Sequence, residues 1–110
     1  MKNIELIKQF ELGKIPVGAK NKEAAKIFDS TRRQMIEVIL RGGEVLPKHK
    51  AGEPITVFCL AGNGTFRAGR DLEEEQKLTA GTLITLEAEI EHEVAAEPEI
   101  HILVTKFKET

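Results

Sequence analysis

Gly43-Glu44-Val45-Leu46-Pro47-Lys48-His49-Lys50-Ala51-Gly52-Glu53-Pro54-Ile55-Thr56-Val57-Phe58-Cys59-Leu60-Ala61-Gly62 is the stretch whose reading decides the fold. Five of the six residues from Ile55 to Leu60 are apolar, and the run is bounded by Pro54 on one side and Ala61-Gly62 on the other. A short apolar, partly β-branched run between such breakers reads as a buried strand. Residues two apart on a strand share a face, so Ile55, Val57 and Cys59 point the same way. Gly62-Asn63-Gly64 reads as a tight turn, because both residue types tolerate positive φ. Thr65-Phe66-Arg67 resumes extended structure, and Gly69-Arg70-Asp71 reads as a hairpin tip.

Working outward, Gly and Pro interrupt the chain at short intervals, which points to an all-β sandwich or barrel. Thr82 to Leu86 is apolar and β-branched, hence a strand. After it, Glu87, Glu89, Glu91 and Glu93 alternate with Ala88, Ile90, His92 and Val94. If extended, that stretch turns the acids to water and His92 to the apolar side; a turn in its middle would leave the parity firmest near His92. Ile100 to Phe107 reads as a final strand buried on both faces. Between Lys22 and Leu40 the apolar residues lie close to a helical stripe, yet Ile36, Val38 and Leu40 also alternate. Asp29-Ser30-Thr31 is a poor helix interior, since these side chains compete for backbone hydrogen bonds. Two strands, Ala24–Phe28 and Gln34–Arg41, are the preferred reading. Ile4 to Phe10 fits either a helical turn or an edge strand, so residues 1–20 form an arm or edge elements.

The chain has 110 residues, the length of one domain, so 1–110 is read as a single unit. Its formal net charge of −2 favours neither nucleic acid nor an anionic membrane as partner. With one cysteine, Cys59, no intrachain disulfide can form, which fits a reducing compartment. The N-terminus has no apolar core of signal-peptide length and no run is long enough for a membrane span, so the default location is cytoplasmic.

The spacings Gly43 to His49 to Gly62 and Gly81 to His92 resemble the two signature motifs of the cupin family. The region 43–92 carries them: motif 1 over about 43–62, motif 2 over about 81–92. The likeness implies an antiparallel β-barrel of jelly-roll type and a homodimer. It also implies a metal set of three imidazoles and one carboxylate. Only His49 and His92 stand at those positions; Ala51 and Ile55 occupy the other two, and Glu87 and Glu89 replace the second motif's proline and glycine. Since Ile55 takes an inward position, Ile55, Val57 and Cys59 are expected to line the interior.

Methyl and sec-butyl groups offer a metal no lone pair, so no tightly bound cofactor is expected. A weakly held divalent ion (Zn, Ni or Fe) would rest on His49 and His92, with Cys59, His101 or Glu53 as rescue ligands. A histidine pair in a semi-enclosed pocket also suits proton transfer near neutral pH. Lys48 and Lys50 flank His49 and read as a solvated rim or as attraction for an anionic ligand. Ser30 is the only serine, and no nucleophile-elbow pattern surrounds it. Three functions follow: a binding module for a small, partly apolar molecule in a pocket of His49, His92, Ala51, Ile55, Val57 and Cys59; a weak-metal isomerase or oxygenase; or an interaction protein with a vestigial pocket.

Overall fold

Short β-branched and apolar segments separated by Gly, Pro and Asp turns fold here into seven strands and, among the described residues, no helix. The structure is a computed structural model that describes residues 3–108. The strands are β1 (Lys22–Asp29), β2 (Arg33–Leu40), β3 (Val45–His49), β4 (Ile55–Ala68), β5 (Glu74–Thr79), β6 (Leu83–Leu86) and β7 (His92–Phe107).

All pairings are antiparallel, and β4 with β7 forms the spine. The first half of β4 pairs with the second half of β7, flanked by β6 on one side and by β2 and β1 on the other. The second half of β4 pairs with the start of β7, flanked by β5 and β3. The two long strands bend between these halves, and the sheet folds over itself into two facing layers. One apolar cluster fills the space between them: Val38 and Leu40 from β2, Ile55, Val57, Cys59 and Phe66 from β4, Leu78 from β5, and Val94, Ile100 and Ile102 from β7. Ile55, Val57 and Cys59 therefore do share the buried inner face.

The expected turn at Gly62-Asn63-Gly64 is instead a bend inside β4. The register with β7 shifts between Cys59 and Ala61 and again between Gly62 and Gly64, the mark of β-bulges. Gly62 has φ +85°, and a Cβ there would lie 2.2 Å from the carbonyl oxygen of Glu99; a Cβ on Gly64 would lie 2.6 Å from that of Ala95. The glycines let two backbones approach, rather than reverse the chain. Gly69-Arg70-Asp71 does turn, with the Leu72 amide donating to the Gly69 carbonyl.

The segment from Lys22 to Leu40 is the expected strand pair, turning where the Ser30 hydroxyl oxygen accepts from the Arg32 and Arg33 amides. Ile4–Phe10 is neither helix nor strand. The N-terminal segment instead lies across the outer side of the sheet, where the Gln9 amide donates to Glu37 and the Gly13 amide to the Leu60 carbonyl. Met1 and Lys2, part of the arm read over residues 1–20, lie outside the described residues. The last strand starts at His92, eight residues before the expected Ile100. Successive residues are buried only at Ile100, His101 and Ile102, where Phe10 of the N-terminal segment lies 6.1 Å from His101; Phe107 is 43% exposed. Extended structure does not run through the acidic stretch either: the chain turns at Ala88-Glu89, where Glu89 has φ +68°, and strand alternation begins at His92. Among the described residues no helix is long and apolar enough to cross a membrane.

Candidate functional site

β3 ends on His49 and β7 begins on His92, and the two residues are paired directly across the ladder. Their ring centroids are 4.2 Å apart with the planes inclined by 59°. His92 is buried (4% exposed) and stacks on Phe66 at 5.7 Å, nearly parallel. His49 is exposed, because it closes a short strand at the rim.

Both rings are held in the same way. Nδ1 of His49 lies 2.7 Å from the Pro47 carbonyl oxygen, and Nδ1 of His92 lies 2.9 Å from that of Ile90. A carbonyl oxygen only accepts, so each Nδ1 carries the proton and, in the neutral ring, each Nε2 presents a lone pair. Among the described residues neither Nε2 has a hydrogen-bond partner. Burial holds the His92 pKa below its ordinary value; the Ile90 carbonyl opposes this, and the nearby His49 and Lys106 charges add to it.

The two imidazoles stand at a cavity of about 80 Å³ between the layers. Its floor and walls are apolar: Leu46, Ala51, Ile55, Val57, Phe66, Val94, Ile102 and Val104. Its polar lining is His49, Lys50, His92 and Lys106, with no carboxylate among them. Lys50 is engaged by Glu89 at 3.3 Å, and Lys48 turns outward to Glu91 at 3.1 Å. Lys106, half-buried and paired across the ladder with Ile55, makes no ion pair among the described residues.

His49, His92, Ala51, Ile55 and Val57 thus meet around one cavity. The remaining candidates do not. Cys59 lies deeper in the core, where burial raises its pKa and its Sγ sits 3.5 Å from the Ala61 carbonyl oxygen. Glu53 stays in the loop before β4, away from the cavity wall. His101 faces the other side of β7: strand alternation puts Ile102, Val104 and Lys106 on the cavity and sends His101 outward. There its Nε2 lies 2.7 Å from the Glu37 carboxylate and its ring 6.1 Å from Phe10. Among the described residues no group of three or more His, Cys, Asp and Glu side chains is placed to hold an ion. The sequence reading missed Lys106; its parity with Ile102 and Val104 becomes a signal only once the pairing with β4 shows which face of β7 meets the cavity.

No family profile matches the sequence, and no curated protein matches it. Solved structures do match over nearly the whole chain. One is a cupin superfamily protein from Desulfitobacterium hafniense DCB-2, 12% identical, with a TM-score of 0.78 over 96% of this chain and 100% of that one. A second is a conserved protein of unknown function from Streptococcus pyogenes, 16% identical, TM-score 0.75, covering 99% of each chain. A third is an RmlC-like cupin family protein with a double-stranded β-helix fold from Methanocaldococcus jannaschii, 16% identical, TM-score 0.73 over 92% of this chain and 93% of that one. At these identities the likeness is one of fold: this chain has the cupin fold, the antiparallel barrel its motif spacings resemble.

Proposed function

We propose that this cupin-fold chain binds a small, partly apolar molecule in the cavity between its layers, without a tightly held metal. The observation that carries the reading is the lining: apolar walls with a few convergent polar groups, every ionisable one of them basic. Apolar cavities with a few placed polar groups are the usual form of small-molecule sites. The donor set does not fit a tight metal. Two neutral imidazoles leave a divalent ion its full charge, and no carboxylate offsets it. Lys106 on the same lining opposes it further, since its positive charge repels a cation held by the two imidazoles.

One observation favours a second reading, a weak-metal enzyme of isomerase or oxygenase type. The two Nε2 lone pairs are fixed by backbone carbonyls, an arrangement that also orients metal-ligating histidines. Elemental analysis of untagged protein, purified without chelators, separates the two. The binding reading expects Fe, Ni and Zn far below one equivalent. Near-stoichiometric metal would overturn it in favour of the enzyme.

The proposal also takes the chain to be a cytoplasmic homodimer. Ile4, Leu6, Leu12 and Val17 on the N-terminal segment are exposed, which supports self-association. Light scattering across a concentration series tests it.

A further inference from the structure

We infer that the ligand of this pocket is a small hydroxy acid, its carboxylate held by Lys106 and its hydroxyl by the imidazole of His92. This rests on the binding reading above and goes further by naming the ligand class.

Lys106 carries the first half. Lys106 and His92 both line the cavity, and the Lys106 charge acts on His92, so one small molecule in the cavity borders both residues. The other lysine of the lining, Lys50, is engaged by Glu89, and Lys48 beside it by Glu91. Lys106 has no ion pair among the described residues, and its two cross-strand neighbours, Ile55 on β4 and Gln34 on β2, carry no charge. A partly buried ammonium without a counter-ion favours an anionic guest, and a carboxylate supplies both the charge and strong hydrogen-bond acceptors.

The imidazoles carry the second half. Their Nδ1 protons are spent on the Pro47 and Ile90 carbonyls, so each Nε2 presents a lone pair to the cavity. A bare carboxylate brings only acceptors and leaves these lone pairs facing oxygen lone pairs. A hydroxyl on the same molecule donates its one proton to Nε2 of His92 and removes that conflict there. The volume limits the rest. About 80 Å³ is roughly half the ~150 Å³ that admits benzene, so only a short alkyl portion of about two or three carbons fits among Val57, Val94 and Val104.

The test uses 3-hydroxybutyrate, butyrate and 2-butanol as probes, read by amide shifts of Val57, Val94 and Val104 in ¹⁵N-labelled protein. Hydroxybutyrate is expected to bind about tenfold more tightly than either butyrate or 2-butanol, since each lacks one of the two polar contacts. Lys106→Met keeps the side-chain stem and is expected to weaken hydroxybutyrate about tenfold while leaving 2-butanol unchanged. Lys106→Arg is expected to retain most of the affinity, and an unchanged amide spectrum shows that both variants fold. If 2-butanol binds as tightly as hydroxybutyrate, or if folded Lys106→Met binds hydroxybutyrate like wild type, the hydroxy-acid inference is overturned and the pocket reading stands. If no probe shifts these amides, both fall.

Discussion

Rebuilding the missing half of a metal set is the most demanding use of the site geometry. The perturbation is Ala51→His with Ile55→Glu, made together. Both side chains already border the cavity that His49 and His92 share, so the double variant converges three imidazoles and a carboxylate on one volume. The cost falls mainly at Ile55, which is 3% exposed and packs in the central cluster. Losing a buried isoleucine removes about 2–3 kcal/mol of hydrophobic stabilisation. Lys106, opposite position 55, offsets part of the charge-burial cost by pairing with the new glutamate. The apo variant should therefore lose about 3 kcal/mol, a large share of the 5–15 kcal/mol typical of a domain, yet remain folded. Zn²⁺ or Ni²⁺ should restore it: each hundredfold of free metal over Kd returns ~2.7 kcal/mol. Isothermal titration of wild type and variant should show affinity rising by two orders of magnitude or more. Adding Lys106→Met should raise it again, because the competing ammonium is gone. A folded double variant that binds metal no better than wild type would refute the placement of positions 51 and 55 around the histidine pair.

Three further outcomes follow from the same structure. His92 has a pKa lowered from 6.5 by burial, so between that lowered value and 6.5 the unfolded chain binds a proton that the folded one does not. Stability should accordingly decline as pH falls below 6.5, and denaturant midpoints for His92→Phe should lose part of that slope; an unchanged slope would contradict the assignment. Gly62→Ala should cost more than about 2 kcal/mol, since φ is +85° and the new Cβ meets the Glu99 carbonyl, whereas Gly43→Ala, at φ +74° in open space, should cost only about 1 kcal/mol. Equal midpoint shifts for the two alanine variants would argue against the bulged crossing of β4 and β7. Glu37→Leu removes the partner of both buried His101 and Gln9, so it should cost about 1–3 kcal/mol and expose the N-terminal segment to limited proteolysis; wild-type protease resistance would count against that clasp.

The barrel and its two histidines were legible because the spacings Gly43 to His49 to Gly62 and Gly81 to His92 resemble the cupin motifs, and that resemblance implies both. The inward parity of Ile55, Val57 and Cys59 follows from strand geometry, and the cluster in the core has them as expected. What the sequence hid depended on partners far along the chain. Gly62-Asn63-Gly64 has the composition of a turn; only the passing carbonyls of β7 make it a bend within a strand. His101 and Lys106 stand on one strand with opposite parity, yet which face met the cavity required its pairing with β4. Lysine on a final strand reads by default as solvated, and that default concealed the one cation of the pocket left without an acid among the described residues. His49, expected with His92 in a semi-enclosed pocket, stands exposed at the strand end that pairs with it.

The proposed function makes the cavity lined by His49, His92 and Lys106 an organic ligand site and not a metal centre. Anomalous diffraction from crystals of untagged protein, with data on either side of the Fe, Ni and Zn edges, tests it most directly. No anomalous peak is expected between the two imidazoles, and crystals soaked in 3-hydroxybutyrate should show elongated density reaching from His92 to Lys106. An anomalous peak about 2.0–2.2 Å from both Nε2 atoms, at near-full occupancy, would contradict it.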